Sequence, residues 1–188
     1  MVSVHRVTDL TMLAQQRKKL EPFMGLRLDL GCGPNKQAGF FGVDSRRLPG
    51  VDLVHDLEVF PWPLPDSVTR LVVMSHFWEH IHPKLTLRFM AELHRVCQHG
   101  AEIAIAAPYG NGFRFTQDPT HCNPSNEATF LYWDLRHPLW EVYQPPVFHL
   151  TYYEIIPAGH DRDFNARLIC CKPEDGKTCT CALPVAQP

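Results

Sequence analysis

Residues 26–35, Leu-Arg-Leu-Asp-Leu-Gly-Cys-Gly-Pro-Asn, followed by Phe-Gly-Val-Asp at 41–44, constrain this chain more than any other stretch. A short apolar run enters a glycine turn, and a second apolar run ends on a carboxylate. Gly31 and Gly33 let the backbone take positive φ and approach a ligand with no Cβ in the way. An acid at the end of a second strand is placed to accept hydrogen bonds from a ribose diol. The pattern describes a nucleoside-cofactor pocket at the carboxyl ends of parallel strands, and by itself leaves the cofactor open.

The chain is long enough, at 188 residues, for one domain with a sizeable core, and its 45% hydrophobic and 20% charged residues are those of a globular protein. A net charge of -2 gives no general pull toward nucleic acid or anionic membrane, and the basic clusters Arg17-Lys18-Lys19 and Arg46-Arg47 are short enough to read as solvated surface. No apolar run approaches the ~20 residues that span a bilayer. The first residues lack a signal peptide's apolar core, so a cytoplasmic protein is expected. Seven cysteines are not spaced as a secreted disulfide framework. Cys32, Cys97, Cys170 and Cys171 lie in or beside apolar segments, as small hydrophobes do. Cys179 and Cys181 have no second pair at zinc-like spacing, and no metal is assigned to them.

Along the chain, helical spacing predicts a helix over residues 8–20, lying against the sheet or over the pocket mouth. Strands are expected at 26–30, 41–43, 51–54, 70–75 and 102–107. Only ten residues separate Leu30 from Phe41, too few for a full crossover helix. Three prolines at positions 61, 63 and 65 make that segment a rigid loop. The strongest helix runs over 83–99, opened by Pro83 and stopped at Gly100, with Leu85, Phe89, Leu93 and Val96 on its buried face. Residues 108–147 lose all periodicity and mix aromatics with Gly, Asn and Pro, which marks an inserted lid. Strands at 148–155 and 164–171 form an antiparallel edge pair. The expected organisation is a domain over 1–172 with its lid at 108–147, then a flexible tail over 173–188. The fold class is a doubly wound, mostly parallel α/β sheet with an antiparallel C-terminal edge pair.

For the cofactor, a nicotinamide dinucleotide is disfavoured. The sixth position of G-x-G-x-x-G is Lys36, and Asp44 comes 13 positions after Gly31 rather than the usual ~20. A P-loop is excluded, since no G-K-[ST] follows the turn. The ordered motifs resemble the class I S-adenosylmethionine-dependent methyltransferases, in the short-crossover, methyltransferase type 11-like branch. Asp29-Leu-Gly-Cys-Gly-Pro-Asn35 resembles their first motif, Phe41-Gly-Val-Asp44 the second and His55-Asp56-Leu57 the third. Ser75-His-Phe-Trp-Glu-His-Ile81 resembles the fourth-strand motif, His94-Arg-Val-Cys-Gln-His-Gly100 the helix end before strand five, and Asp118-Pro-Thr-His121 a motif of that branch. The resemblance covers about residues 26–171 and implies a Rossmann-like fold and S-adenosyl-L-methionine as cofactor. Its binding residues are then Asp29, Gly31, Cys32, Gly33, Asn35, Asp44, Ser45, Asp56, Leu57, Ser75 and His76. No N-P-P-Y or D-P-P-Y follows strand four, which argues against amino-methyltransferases of adenine, cytosine or glutamine.

The implied function is methyl transfer to a small-molecule or glycan-type acceptor, with no nucleic acid partner and no membrane span. A non-catalytic cofactor-binding scaffold is the alternative. His76, Glu79, His80, His82 and His121 are the titratable groups near the strand ends and lid. His121 is the preferred general base, with His76 beside it. His80-x-His82 with Asp118 and His121 has the donor types of a divalent-metal site, but such short patterns mislead often enough that no metal is assigned.

Overall fold

The computed structural model describes residues 25–159 and 161–172; the helix expected over 8–20 and the tail over 173–188 lie outside them. Seven strands form one sheet: β1 (Leu26–Leu30), β2 (Phe41–Asp44), β3 (Leu53–Val54), β4 (Thr69–Ser75), β5 (Cys97–Pro108), β6 (Phe148–Ala158) and β7 (Asp161–Cys170). Their spatial order is β3-β2-β1-β4-β5-β7-β6. The first five pair in parallel, and β7 runs antiparallel to both β5 and β6. This is the α/β, Rossmann-like sheet with an antiparallel edge that the sequence predicts.

The register explains the core. Leu28 pairs with Val72, Val72 with Ile103, Ile103 with Leu168 and Leu168 with Leu150, so one row of aliphatic side chains crosses five strands. All five are fully buried. Side chains alternate across a sheet, so their neighbours Leu71, Val73, Ala104 and Ala106 occupy the opposite face and are only half-buried among the described residues.

Helix α1 (Thr86–Val96) packs its Phe89, Met90, Leu93 and Val96 into the core, each completely buried. Phe89 is the hub. Its ring meets Trp62 at 5.2 Å, Phe77 at 6.0 Å and Trp78 at 6.5 Å, and truncating it to alanine costs about 3–5 kcal/mol. The proline loop is fastened to α1 through charge. Glu92 accepts from the Trp62 amide at 2.6 Å and is gripped by Arg95, which also reaches Asp66 and the Trp62 carbonyl.

The third strand is shorter than expected, at Leu53–Val54, the edge pair continues past 155 and 164 to Ala158 and Asp161, and the strongest helix differs at both ends. The helix over 83–99 is a 3-10 turn (Pro83–Leu85) followed by α1, which ends at Val96. Gly100 is not its stop: Cys97 already pairs with Thr69, so 97–101 belong to β5, and Gly100 takes φ +79 at the irregularity between the Cys97 and Glu102 pairings. Leu85 is accordingly half-buried. The link between β1 and β2 is all turn, with no helix, as its length requires.

Residues 109–147 contain α2 (Phe113–Thr116), a 3-10 turn (Thr129–Trp133) and α3 (Trp140–Tyr143). Phe130 and Trp133 anchor this segment, Phe130 lying 5.0 Å from Trp78 and 6.0 Å from Phe164. The buried Asp134 carboxylate adds to that anchor. The Asp134 carboxylate accepts from His149 Nδ1 at 2.8 Å and from Arg136 Nη2 at 2.6 Å. Cys32, Cys97 and Cys170 are buried free thiols, whereas Cys171 is disulfide-bonded. Among the described residues, no helix is long and apolar enough to cross a membrane.

Candidate active site

The carboxyl ends of β1, β2 and β4 meet at a cavity of about 440 Å³. Gly31, Asp44, Asp56, Leu57, His76 and Phe77 form much of its wall. The glycine turn is knitted to β2, because the Gly31 amide donates to the Val43 carbonyl at 2.8 Å. Gly31 has φ +68, and a Cβ there would run into the Phe77 ring. Backbone freedom and close approach both require glycine at that position.

Asp44 is buried at the end of β2. Its Oδ2 accepts from the Gly33 amide at 2.9 Å, and its Oδ1 from the Arg46 amide at 2.9 Å. These bonds fix the carboxylate and leave further lone pairs for hydroxyl donors. Asp29 sits one layer back, accepting from the Gln37 amide at 2.8 Å. Burial raises its pKa, against the lowering effects of that amide and of Lys36. Burial, with Asp29 and Asp44 nearby, also pushes the Cys32 thiol up to about 11. Asp56 is exposed and closes a turn by accepting from the Glu58 amide at 2.9 Å, while adjacent Leu57 is buried.

After β4 the chain turns sharply. His76 has φ +51, rare for a residue with a side chain, and is held there by its amide bond to the Ala106 carbonyl at 2.8 Å. Its Nδ1 lies 3.4 Å from Glu79 Oε1. That carboxylate raises the His76 pKa, and burial opposes it. Glu79 is 1% exposed, and neither of its oxygens has a hydrogen-bond donor among the described residues, so its contact with His76 is electrostatic. His121 approaches from the segment between β5 and β6, with Nε2 3.9 Å from Glu79 Oε1 and 3.7 Å from Asp118 Oδ2.

Of the residues predicted to hold the cofactor, Gly31, Asp44, Ser45, Asp56, Leu57 and His76 line this cavity. Asp29, Cys32 and Gly33 brace it from behind, and Asn35 lies exposed on the loop. Ser75 faces away. Strand alternation buries Met74 in the core and places Ser75 on the other side, beside Ala106 and Asn165. His76 lines the cavity; His121 stands one layer behind it. Arg46, Phe77, Ile81 and Thr120 also line the wall without having been singled out. Phe77 and Ile81 fall within the Ser75–Ile81 motif and Thr120 within the Asp118–His121 motif, and Phe77 also left a trace through the glycine opposite it.

The sequence matches no protein-family model, and no curated relative matches it. Its fold matches solved structures. A SAM-dependent methyltransferase from Archaeoglobus fulgidus superposes with a TM-score of 0.56 at 18% identity, covering 85% of this chain and 93% of that one. The 1,6-didemethyltoxoflavin-N1-methyltransferase of Burkholderia thailandensis, solved with bound 1,6-didemethyltoxoflavin and S-adenosylhomocysteine, gives 0.53 at 11% identity over 89% and 84%. The 16S rRNA (adenine(1408)-N(1))-methyltransferase of Catenulisporales acidiphilia gives 0.55 at 12% identity over 87% and 93%.

Proposed function

We propose that this chain, built on the class I methyltransferase fold, binds S-adenosyl-L-methionine and transfers its methyl group to an oxygen or nitrogen of a small-molecule or glycan-type acceptor. The observation that carries the proposal is the cavity at the ends of β1, β2 and β4, walled by Gly31, Asp44, Asp56 and Leu57. Its volume suits a nucleoside cofactor. Asp44, fixed by two backbone amides, would accept the ribose hydroxyls. Exposed Asp56 would take the adenine amino group, with the apolar Leu57 beside it. The bare backbone of Gly31 admits the amino-acid portion.

When bound, the cofactor supplies an electrophilic methyl carried on a sulfonium. The protein's contribution is mainly positioning, since holding reactants in line supplies much of the rate of such a displacement. His76 is the proton acceptor. With Nδ1 facing Glu79, its Nε2 is left to take the acceptor's proton, and Glu79 stabilises the cation that results. His121 stands beside Glu79, and residues 108–147 act as the lid over the acceptor, Thr120 reaching the cavity wall. A small or glycan acceptor is favoured over nucleic acid because a net charge of -2 provides no attraction for phosphates.

Release of S-adenosylhomocysteine tests this reading, measured for the wild type and Asp44→Asn against sugars, phenols, amines and a structured RNA. The expected result is release dependent on a small or glycan acceptor and at least ~10-fold slower in Asp44→Asn, the loss of about one charge-assisted hydrogen bond. Release with RNA alone overturns the acceptor class, and no acceptor-dependent release overturns catalysis.

A further inference from the structure

Beside the cavity, Glu79, His80 and His121 each present a ligand atom within 4.8 Å of the others. From this we infer that they form a site for a divalent transition-metal cation, bordering the cavity through His80 and Thr120.

Both imidazoles turn an unprotonated nitrogen away from their outer hydrogen-bond partners. His121 Nδ1 lies 3.0 Å from the Phe115 carbonyl, which can only accept, so Nδ1 carries the hydrogen and Nε2 keeps its lone pair. The Thr120 hydroxyl donates its single proton to Asp118 Oδ1 at 2.7 Å. Its oxygen therefore accepts from His80 Nδ1 at 3.0 Å, and His80 Nε2 is likewise left as a lone pair. Each imidazole is thus oriented through its other nitrogen by an outer partner, the arrangement usual for metal-bound histidines.

Glu79 completes the set. Among the described residues neither of its buried oxygens has a hydrogen-bond donor, His76 Nδ1 standing off at 3.4 Å, an expensive state for a carboxylate unless a cation neutralises it. Two imidazoles and one carboxylate match the protein donors of catalytic zinc and non-haem iron(II) sites, which leave positions open for an exogenous ligand. The ligands are also preorganised. The Glu79 carbonyl accepts from the Cys122 and Asn123 amides at 2.8 and 3.0 Å, pinning the turn that bears Glu79 and His80 to the segment that bears His121.

This set differs from the sequence pattern of His80, His82, Asp118 and His121. His82 caps the Pro83–Leu85 turn, with Nδ1 accepting from the Lys84 amide, and Asp118 orients His80 through Thr120. An oxygen ligand on the metal would be held next to the cavity, and that use of the site, unlike its existence, rests on the proposed methyl transfer.

Titration of the cofactor-free protein with Co2+, read by its visible d–d absorption, tests the site separately from methyl transfer. The wild type is expected to bind one Co2+, displaced by Zn2+, with Glu79→Gln and His121→Ala each weakened by at least ~10-fold, while His82→Ala binds as the wild type does. The melting temperature of the wild type is expected to rise with Co2+ and that of Glu79→Gln to stay unchanged, so a variant that folds poorly is still scored by its response. Absence of d–d bands in the wild type, equal binding by Glu79→Gln, or equal loss in His82→Ala overturns the assignment. Loss of methyl transfer alone leaves these readings unaffected.

Discussion

Gly31→Ala is expected to do damage that Gly33→Ala does not. Both glycines lie in the left-handed region, at φ +68 and +54. A side chain costs about 1–2 kcal/mol there. They differ in what an added methyl meets. At Gly31 it falls on the Phe77 ring and 2.8 Å from the Phe77 Cβ; at Gly33 nothing lies within 4 Å. Phe77 cannot move freely, because its ring packs 6.0 Å from the fully buried Phe89. Overpacking of this kind adds about 1–3 kcal/mol. Gly31→Ala should therefore lose about 2–5 kcal/mol and Gly33→Ala about 1–2 kcal/mol in urea denaturation. Phe77→Ala opens space for the methyl. Because alanine keeps the Cβ 2.8 Å from the added methyl, Gly31→Ala in that background should fall toward the backbone cost without reaching it, a coupling of up to about 1–3 kcal/mol. Because Gly31 and Phe77 both line the cavity, cofactor binding should follow the same pattern. Equal costs for the two glycine variants in both backgrounds would refute the claim that Gly31 is required by its contact with Phe77.

Asp134 carries a pH prediction. Burial raises its pKa, but hydrogen bonds from Arg136 and His149 outweigh that and hold it below the ordinary value of 3.8. Its charge thus adds stability that is present above that ordinary value and lost as pH falls through the lower folded value. Asp134→Asn should cost about 3 kcal/mol at neutral pH, with the gap narrowing below about pH 4, as followed by denaturant titration. Among the described free cysteines only exposed Cys122 should react with iodoacetamide in the native protein. It should react slowly, since burial and then Glu58 raise its pKa and its thiol faces the His80 and Ile81 carbonyls. Rapid alkylation of Cys32, Cys97 or Cys170, read by peptide mass mapping, would contradict their burial.

What the sequence made legible was local. The glycine turn, the acid of β2 and the compressed link between them rest on neighbouring residues whose conformational demands do not depend on the remainder of the chain. The side of the sheet that Ser75 faces was also within reach, because buried Met74 precedes it on a strand of alternating side chains. Gly100 misled because a glycine after a helical pattern normally stops it, whereas here Cys97 is claimed earlier by pairing with Thr69. Glu79 and His121 stand 42 positions apart and meet through main-chain bonds from Cys122 and Asn123. Residue types grouped His80 with His121 as donors, but they do not announce that Glu79 replaces His82 and Asp118 in the set, nor the lack of donors around Glu79 among the described residues.

The most direct test of the account is calorimetric titration of the wild type and Asp44→Asn with S-adenosylmethionine, S-adenosylhomocysteine and NAD. Saturable one-to-one binding of the first two by the wild type is expected, with no binding of NAD and affinity at least ~10-fold weaker in Asp44→Asn, about 1.4 kcal/mol. A preference for NAD, or no heat with S-adenosylmethionine, would contradict it.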